Sequence, residues 1–172
     1  MLRIGLDLDD CIFNWYPEYL KRFGQPKNDY EITKNVQRVL RKDKVFWENL
    51  PILNIPDFIP SLFCTKRVNS KVYTKNSLRR IGLHKVPVYQ LFTQSANKAD
   101  RIKNKVDVFI DDSVSNWKQM NMSGLPCLLI NNTNNEHIGP LAKVYSLRYD
   151  HIEDTYDLFM KTIFPIFKDI KW

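Results

Sequence analysis

Long apolar runs are missing from this 172-residue chain. No stretch reaches the roughly 18 consecutive apolar residues that mark a membrane-crossing helix, so none is expected. The opening residues, MLRIGLDLDD, place acids where a secretory leader needs an apolar centre, so no secretory signal is expected either. Cysteine is scarce: Cys11, Cys64 and Cys127 are odd in number and lie in or beside apolar runs. Such thiols fit a reducing cytoplasm better than a disulfide framework. None has a histidine partner in its motif, which argues against a catalytic thiol. Histidine is just as scarce, and His84, His137 and His151 show no metal-ligand spacing. Acids are almost absent from residues 66–105, where eleven Lys or Arg face a single acid, Asp100, in a chain of net charge +7. That segment is either a solvated helix face or a surface that attracts anions, whether small phosphate esters or a nucleic-acid backbone.

What is present reads as an ordinary globular protein, 44% hydrophobic and 26% charged, long enough for one domain and a small insertion. Internal repeats and low-complexity tracts are not found. Residues 3–7 read as a buried strand, too short and too apolar for a surface helix. Residues 18–23 read as a helix stopped by Gly24, with Pro26 beyond it. Thr33 is placed to cap a helix reaching about residue 41, and residues 44–50 form another short helix ended by Pro51. Pro51, Pro56 and Pro60 then punctuate a return to the core. The remaining pattern alternates. Strands are expected at 61–64, 86–92, 106–110 and 127–130. Helices are expected at 70–81 (with Val72, Leu78 and Ile81 as the apolar face), 99–104, 114–122 and 152–164, with a polar loop at 131–139. Ser113 caps the helix that begins at 114.

Strands alternating with helices imply right-handed crossovers and a mainly parallel sheet. The expected fold is therefore an α/β, Rossmann-like three-layer sandwich around a five-stranded sheet. Residues 1–13 and 58–172 form its core, and residues 14–57 a small helical cap inserted after strand 1. Open sheets of this kind bind ligands beyond the carboxyl ends of their strands. Three such ends carry chemistry: Asp7-Leu8-Asp9-Asp10 after the first strand, Thr65 after the second, and Asp111-Asp112 after the fourth. Lys98 lies between the last two. Carboxylates, a hydroxyl and an ammonium in that order are the parts of Mg²⁺-assisted phosphoryl transfer to an aspartate nucleophile.

So arranged, the chain resembles the haloacid dehalogenase-like hydrolases. Asp7-Leu8-Asp9-Asp10-Cys11 matches that superfamily's Asp-x-Asp-x-Thr/Val motif. Thr65 in Leu-Phe-Cys-Thr-Lys-Arg matches the second motif, Lys98 in Asn-Lys-Ala-Asp the third, and Val-Phe-Ile-Asp111-Asp112-Ser the acidic pair of the fourth. Order and intervals agree over most of the chain. DLDDCIFNW, Phe46-Trp47-Glu48-Asn49-Leu50-Pro51 and Cys64-Thr65-Lys66-Arg67 resemble, more narrowly, the 5′(3′)-deoxyribonucleotidase-like branch. Asp10 stands where Gly is common, and Cys11 where Thr or Val is.

The resemblance implies Asp7 as nucleophile and Asp9 as general acid and then base. It implies Mg²⁺ held by Asp7, the Asp9 main-chain carbonyl and Asp111, with Asp112 in support. Thr65 and Lys98 would bind the phosphoryl oxygens. Each residue also has an ordinary structural role: aspartates after strands make turns and caps, threonines cap helices, and lysines are solvated. Lys66 and Arg67 are either phosphate contacts or solvated. Phe13, Trp15, Tyr16, Phe46 and Trp47 are candidates to stack on a base or sugar, although aromatic residues at helical intervals also build cores.

The function implied is a cytoplasmic phosphomonoesterase for (deoxy)nucleoside monophosphates. The alternatives are a polynucleotide 3′-end phosphatase that uses the basic segment, and a non-catalytic binder that keeps the fold.

Overall fold

The computed structural model describes residues 3–130, apart from residues 57 and 94. Five short strands form one parallel sheet: β1 (Ile4–Leu6), β2 (Leu62–Thr65), β3 (Val88–Gln90), β4 (Val108–Asp111) and β5 (Cys127–Leu129). Their order is β3-β2-β1-β4-β5. The chain starts in the centre, winds outward to one edge, then returns and winds to the other. The reversal falls between β1 and β4, which opens a crevice beyond their carboxyl ends.

Alternation along each strand builds the two outer layers. Ile4, Leu6, Phe63, Val108 and Ile110 face one side and pack with Leu78 of α4 (Lys71–Arg79). The same cluster takes in Tyr19, Val36 and Trp47 from three helices between β1 and β2: α1 (Trp15–Phe23), α2 (Asp29–Arg38) and α3 (Lys44–Glu48). Leu62, Cys64, Phe109, Cys127 and Leu129 face the other side. They pack with Ala99 and Ile102 of α5 (Ala99–Ile102) and with Trp117 and Met120 of α6 (Val114–Met122). A sheet buried on both faces explains why its strands read as continuous apolar runs.

Alternation puts position 5 on the second face, and it is glycine there because Phe109 of the neighbouring strand fills the space a side chain would need. A Cβ there would meet Phe109 Cδ2 at 2.7 Å and Val106 Cγ1 at 3.1 Å. Gly5→Ala is therefore expected to cost about 1–3 kcal/mol through overpacking, read as a lower denaturant midpoint with unchanged slope.

The segment between β1 and β2 is fastened at both ends. Asn14 N–H donates to Pro51 O and Leu53 N–H to Ile12 O. Ser77 Oγ on α4 donates to Trp47 O at 2.7 Å, and Arg80 Nη1 to Glu48 O and Leu50 O. These bonds tie α3 to the core beneath it.

Local chemistry moves several expected boundaries. The first helix begins at Trp15, not residue 18, because Pro17 falls in the first turn, where its missing N–H is not needed. Asn28, not Thr33, caps α2, with Oδ1 accepting from Glu31 N–H, and the Glu31 carboxylate accepting from Lys27 N–H. Thr33 sits inside the helix and donates to Asp29 O. Helix α2 ends at Arg38 and gives way to a 3₁₀ turn, Leu40–Lys42.

Val72 was expected on the apolar face of α4 but is 60% exposed. That helix instead buries Thr74 and Ser77, whose hydroxyls find partners in Gln90, Asn69 and the Trp47 and Tyr73 carbonyls. All three cysteines are buried and unpaired. Among the described residues no helix is long and apolar enough to cross a membrane. The expected loop at 131–139 and helix at 152–164, with His137 and His151, lie outside the described residues.

Candidate active site

Asp7 leaves β1 at the crevice, its N–H donating to Ile110 O of β4 at 2.9 Å. The chain then turns sharply. Ile12 and Phe13 N–H both donate to Leu8 O, and Asp10 N–H donates to Phe13 O. Asp10 holds the turn at φ +55°, a left-handed conformation that Asp tolerates better than most residues. Its Oδ1 accepts from Tyr16 N–H at 2.9 Å. Burial pushes the Asp10 carboxyl up to about 7, against the pull of that N–H.

Lys98 stands at the centre. It precedes α5 and its side chain is 1% exposed. Its Nζ lies 2.9 Å from Asp7 Oδ1 and 2.7 Å from Asp111 Oδ2, and 5.5 Å from the Phe109 ring centre. Burial alone would lower its pKa, but the Asp111 and Asp7 carboxylates reverse this and hold it well above the ordinary lysine value. Asp111 ends β4 with both oxygens engaged. Oδ1 accepts from Ser113 N–H at 2.9 Å and Asn116 Nδ2 at 3.1 Å, and Oδ2 from Lys98 and Asn116 Nδ2. Asp7 is driven up to about 7 by burial, which the Lys98 charge opposes and Asp111 and Asp9 reinforce.

Asp9 meets a second cation. Arg67 Nε donates to both Asp9 oxygens at 2.9 and 3.0 Å, and Arg67 Nη2 to Oδ1 at 2.6 Å. The Arg67 side chain is wholly buried, with its Cζ 5.2 Å from the ring centres of both Phe13 and Trp47. Its loop is pinned by Gln90 at the end of β3, whose Nε2 donates to Arg67 O at 2.9 Å and to Asn69 O at 2.7 Å.

These groups open into one cavity of about 660 Å³ between the sheet and the inserted helices. Asp7, Asp9, Thr65, Lys66, Lys98, Asp112 and Asn116 line its floor, and Trp15, Tyr16, Ile32, Val36 and Trp47 its upper wall. Thr65 Oγ1 and Arg67 Nη1 are buried without an intramolecular hydrogen-bond partner. A ligand rich in acceptor oxygens would satisfy both donors. Half-buried Lys66 is held below its ordinary pKa by burial and by the charge on Lys98.

Potential metal-ligand atoms of Asp7, Cys11 and Asp112 lie within 4.8 Å of one another. Asp112 is pushed well above the usual carboxylate range by burial, with Asp111, Asp7 and Asp10 adding to it. Crowded carboxylates offer hard oxygen donors that suit a hard divalent cation. Burial holds the Cys11 thiol well above its ordinary pKa. A protonated thiol is no ligand for a hard cation, so Asp7 and Asp112 are the pair that fits one.

Most of the residues singled out from sequence meet here: Asp7, Asp9, Thr65, Lys66, Lys98, Asp111 and Asp112, with Trp15, Tyr16, Trp47 and Arg67 on the cavity wall. Two differ in placement. Phe13 is fully buried beneath the Arg67 guanidinium, and Phe46 packs edge-on against Trp47; neither lines the cavity. Asp112, expected only in support, is the acid grouped with Asp7, while Asp111 is saturated by protein donors.

Sequence reasoning missed Asn116 and Gln90. Asn116 lies three residues beyond the Ser113 cap, and side chains in a first turn lean back toward the helix N-terminus. Gln90 had a fainter signal, a lone amide ending an apolar strand. No protein-family model matches this chain, and no curated protein matches it either.

Proposed function

We propose that this protein is a Mg²⁺-dependent phosphomonoesterase of the haloacid dehalogenase-like kind, acting on (deoxy)nucleoside monophosphates. One observation carries the reading: a buried lysine is clamped between the carboxylates that end β1 and β4, on the floor of an open cavity. Such a cation draws a phosphoryl group to Asp7 and lessens the repulsion between anionic nucleophile and anionic ester.

In the first step Asp7 attacks phosphorus and the ester P–O bond breaks, giving an aspartyl-phosphate. Asp9 gives its proton to the departing alcohol oxygen. In the second, Asp9 takes a proton from water as that water attacks phosphorus, which frees Asp7 and inorganic phosphate. Thr65 Oγ1 and Lys98 Nζ hold the phosphoryl oxygens. Mg²⁺, held by Asp7, Asp112 and the Asp9 main-chain carbonyl, would supply further positive charge against those oxygens. The cavity volume is ordinary for a small-molecule site, and the half-buried Trp15 and Tyr16 on its lining are the aromatic side chains available to a base.

Phosphate release from a panel of monophosphate esters, with Mg²⁺ and with chelator, tests the proposal. Mg²⁺-dependent turnover, fastest on nucleoside monophosphates, is expected; no release from any ester under either condition would overturn it. Because Asp7 titrates near 7, protons compete with the cation below that pH. Asp112 is raised as well, so calorimetric Mg²⁺ affinity should rise from pH 6 to pH 8, by up to about tenfold per pH unit for each proton displaced.

A second substrate class is favoured by exposed Lys71, Lys75, Lys85, Arg101, Lys103 and Lys105, which leave most of the basic segment facing solvent. If these bind a nucleic-acid strand, dephosphorylation of a 3′-phosphorylated oligonucleotide outpaces that of mononucleotides and falls steeply with salt.

A further inference from the structure

We infer that Arg67 is a positioning residue for proton transfer: it fixes the Asp9 carboxylate and couples it to the inserted helices. The inference rests on the phosphomonoesterase reading and adds a residue to it. Three donor contacts from one guanidinium engage both Asp9 oxygens. A planar fork of this kind sets the orientation of a carboxylate as well as its distance, which a lysine ammonium cannot do.

The guanidinium is itself immobilised. Phe13, at the end of the turn after β1, packs on it, and Trp47, from α3, does so too, each at 5.2 Å. Its main-chain carbonyl is held by Gln90. Trp47 is tied in turn, its Nε1 donating to Leu40 O at 2.7 Å and its carbonyl accepting from Ser77 Oγ at 2.7 Å. The Asp9 side chain is nevertheless 21% exposed, open to the cavity. An acid that must meet the leaving oxygen at hydrogen-bond distance gains from such a mount. The inserted helices thereby reach the reacting centre through Trp47 and Arg67.

Leaving-group dependence tests this. A nucleoside 5′-monophosphate releases an alkoxide that needs the Asp9 proton; p-nitrophenyl phosphate releases a phenolate that needs it far less. Arg67→Met should lower kcat on the nucleotide by about 10²-fold. The loss on p-nitrophenyl phosphate should be smaller by at least about tenfold, and Arg67→Lys should recover only part of the nucleotide rate. In an Asp9→Asn background, Arg67→Met should add less than about a threefold loss, because residues acting through one group are not additive.

Equal losses on both esters, or multiplicative effects of the two substitutions, would overturn the inference while leaving the phosphomonoesterase reading intact. A parent protein that hydrolyses neither ester would remove that reading and this inference with it. Thermal melting checks each variant. If Arg67→Met does not fold, Arg67→Lys in the parent and Asp9→Asn backgrounds carries the same comparison.

Discussion

Asp7→Asn protein should lose at least about 10³-fold in kcat on the best phosphate ester while melting at or near the parent temperature. The two halves of this expectation have separate causes. An amide nitrogen or oxygen is a poor nucleophile toward phosphorus, so no aspartyl-phosphate forms. Stability, in contrast, has little to lose. Burial already drives the Asp7 carboxyl up to about 7, so the fold tolerates its neutral form. Asparagine imitates that neutral form at nearly the same volume. Lys98 keeps its shorter contact, to Asp111 Oδ2 at 2.7 Å. Stopped-flow phosphate release, with acid-quench trapping of the phosphoenzyme, makes the measurement. A labelled acyl-phosphate accumulating on the variant would show that another residue is the nucleophile.

Lys98→Met should have the largest effect on folding. Methionine nearly matches the lysine in volume and fits against Phe109, so packing changes little. Charge changes greatly: Asp7 and Asp111, both buried, lose the ammonium that bridges them. Removing one member of a buried ion pair typically costs about 3–5 kcal/mol. For a chain of this size that corresponds to roughly 6–20 °C in Tm.

The deficit has a definite pH direction. An Asp7 deprived of its cation is tolerated in the fold when protonated and opposed when charged, so the loss relative to the parent is greatest above neutrality and shrinks toward pH 5. Melting curves of parent and variant across that range test it. A deficit independent of pH would mean that Lys98 acts through packing, and that the clamp is not electrostatic in origin.

Both expectations concern groups whose surroundings were only partly legible in the sequence. The central strands β1, β2 and β4 were legible because each is a run of three or four residues buried on both faces, which leaves no exposed side to confuse the pattern. β1 and β4 end at acids for the same reason: the apolar run stops where the crevice begins. Edges were harder. β3 is shorter than the apolar stretch around it, since edge pairing with β2 ends at Gln90. The cap of α2 was misplaced because Asn28 and Thr33 are both good capping residues, and only the path of the chain selects between them. Val72 looked apolar in helical register but faces solvent, since the core presents polar partners to Thr74 and Ser77.

The amino-acid sequence by itself determined the alternation of strands and helices, the parallel sheet, and the strand ends at which Asp7, Thr65 and Asp111 emerge, because burial on both faces writes a local, continuous apolar run that stops at the crevice. Only the tertiary structure decided which acid meets which cation. Lys98 takes Asp7 and Asp111, Arg67 takes Asp9, and Asp112 turns toward Asp7. The ion pairs among them join residues as many as 91 positions apart. No spacing along the chain encodes them, because they arise from the distances and desolvation that appear once separate strands converge.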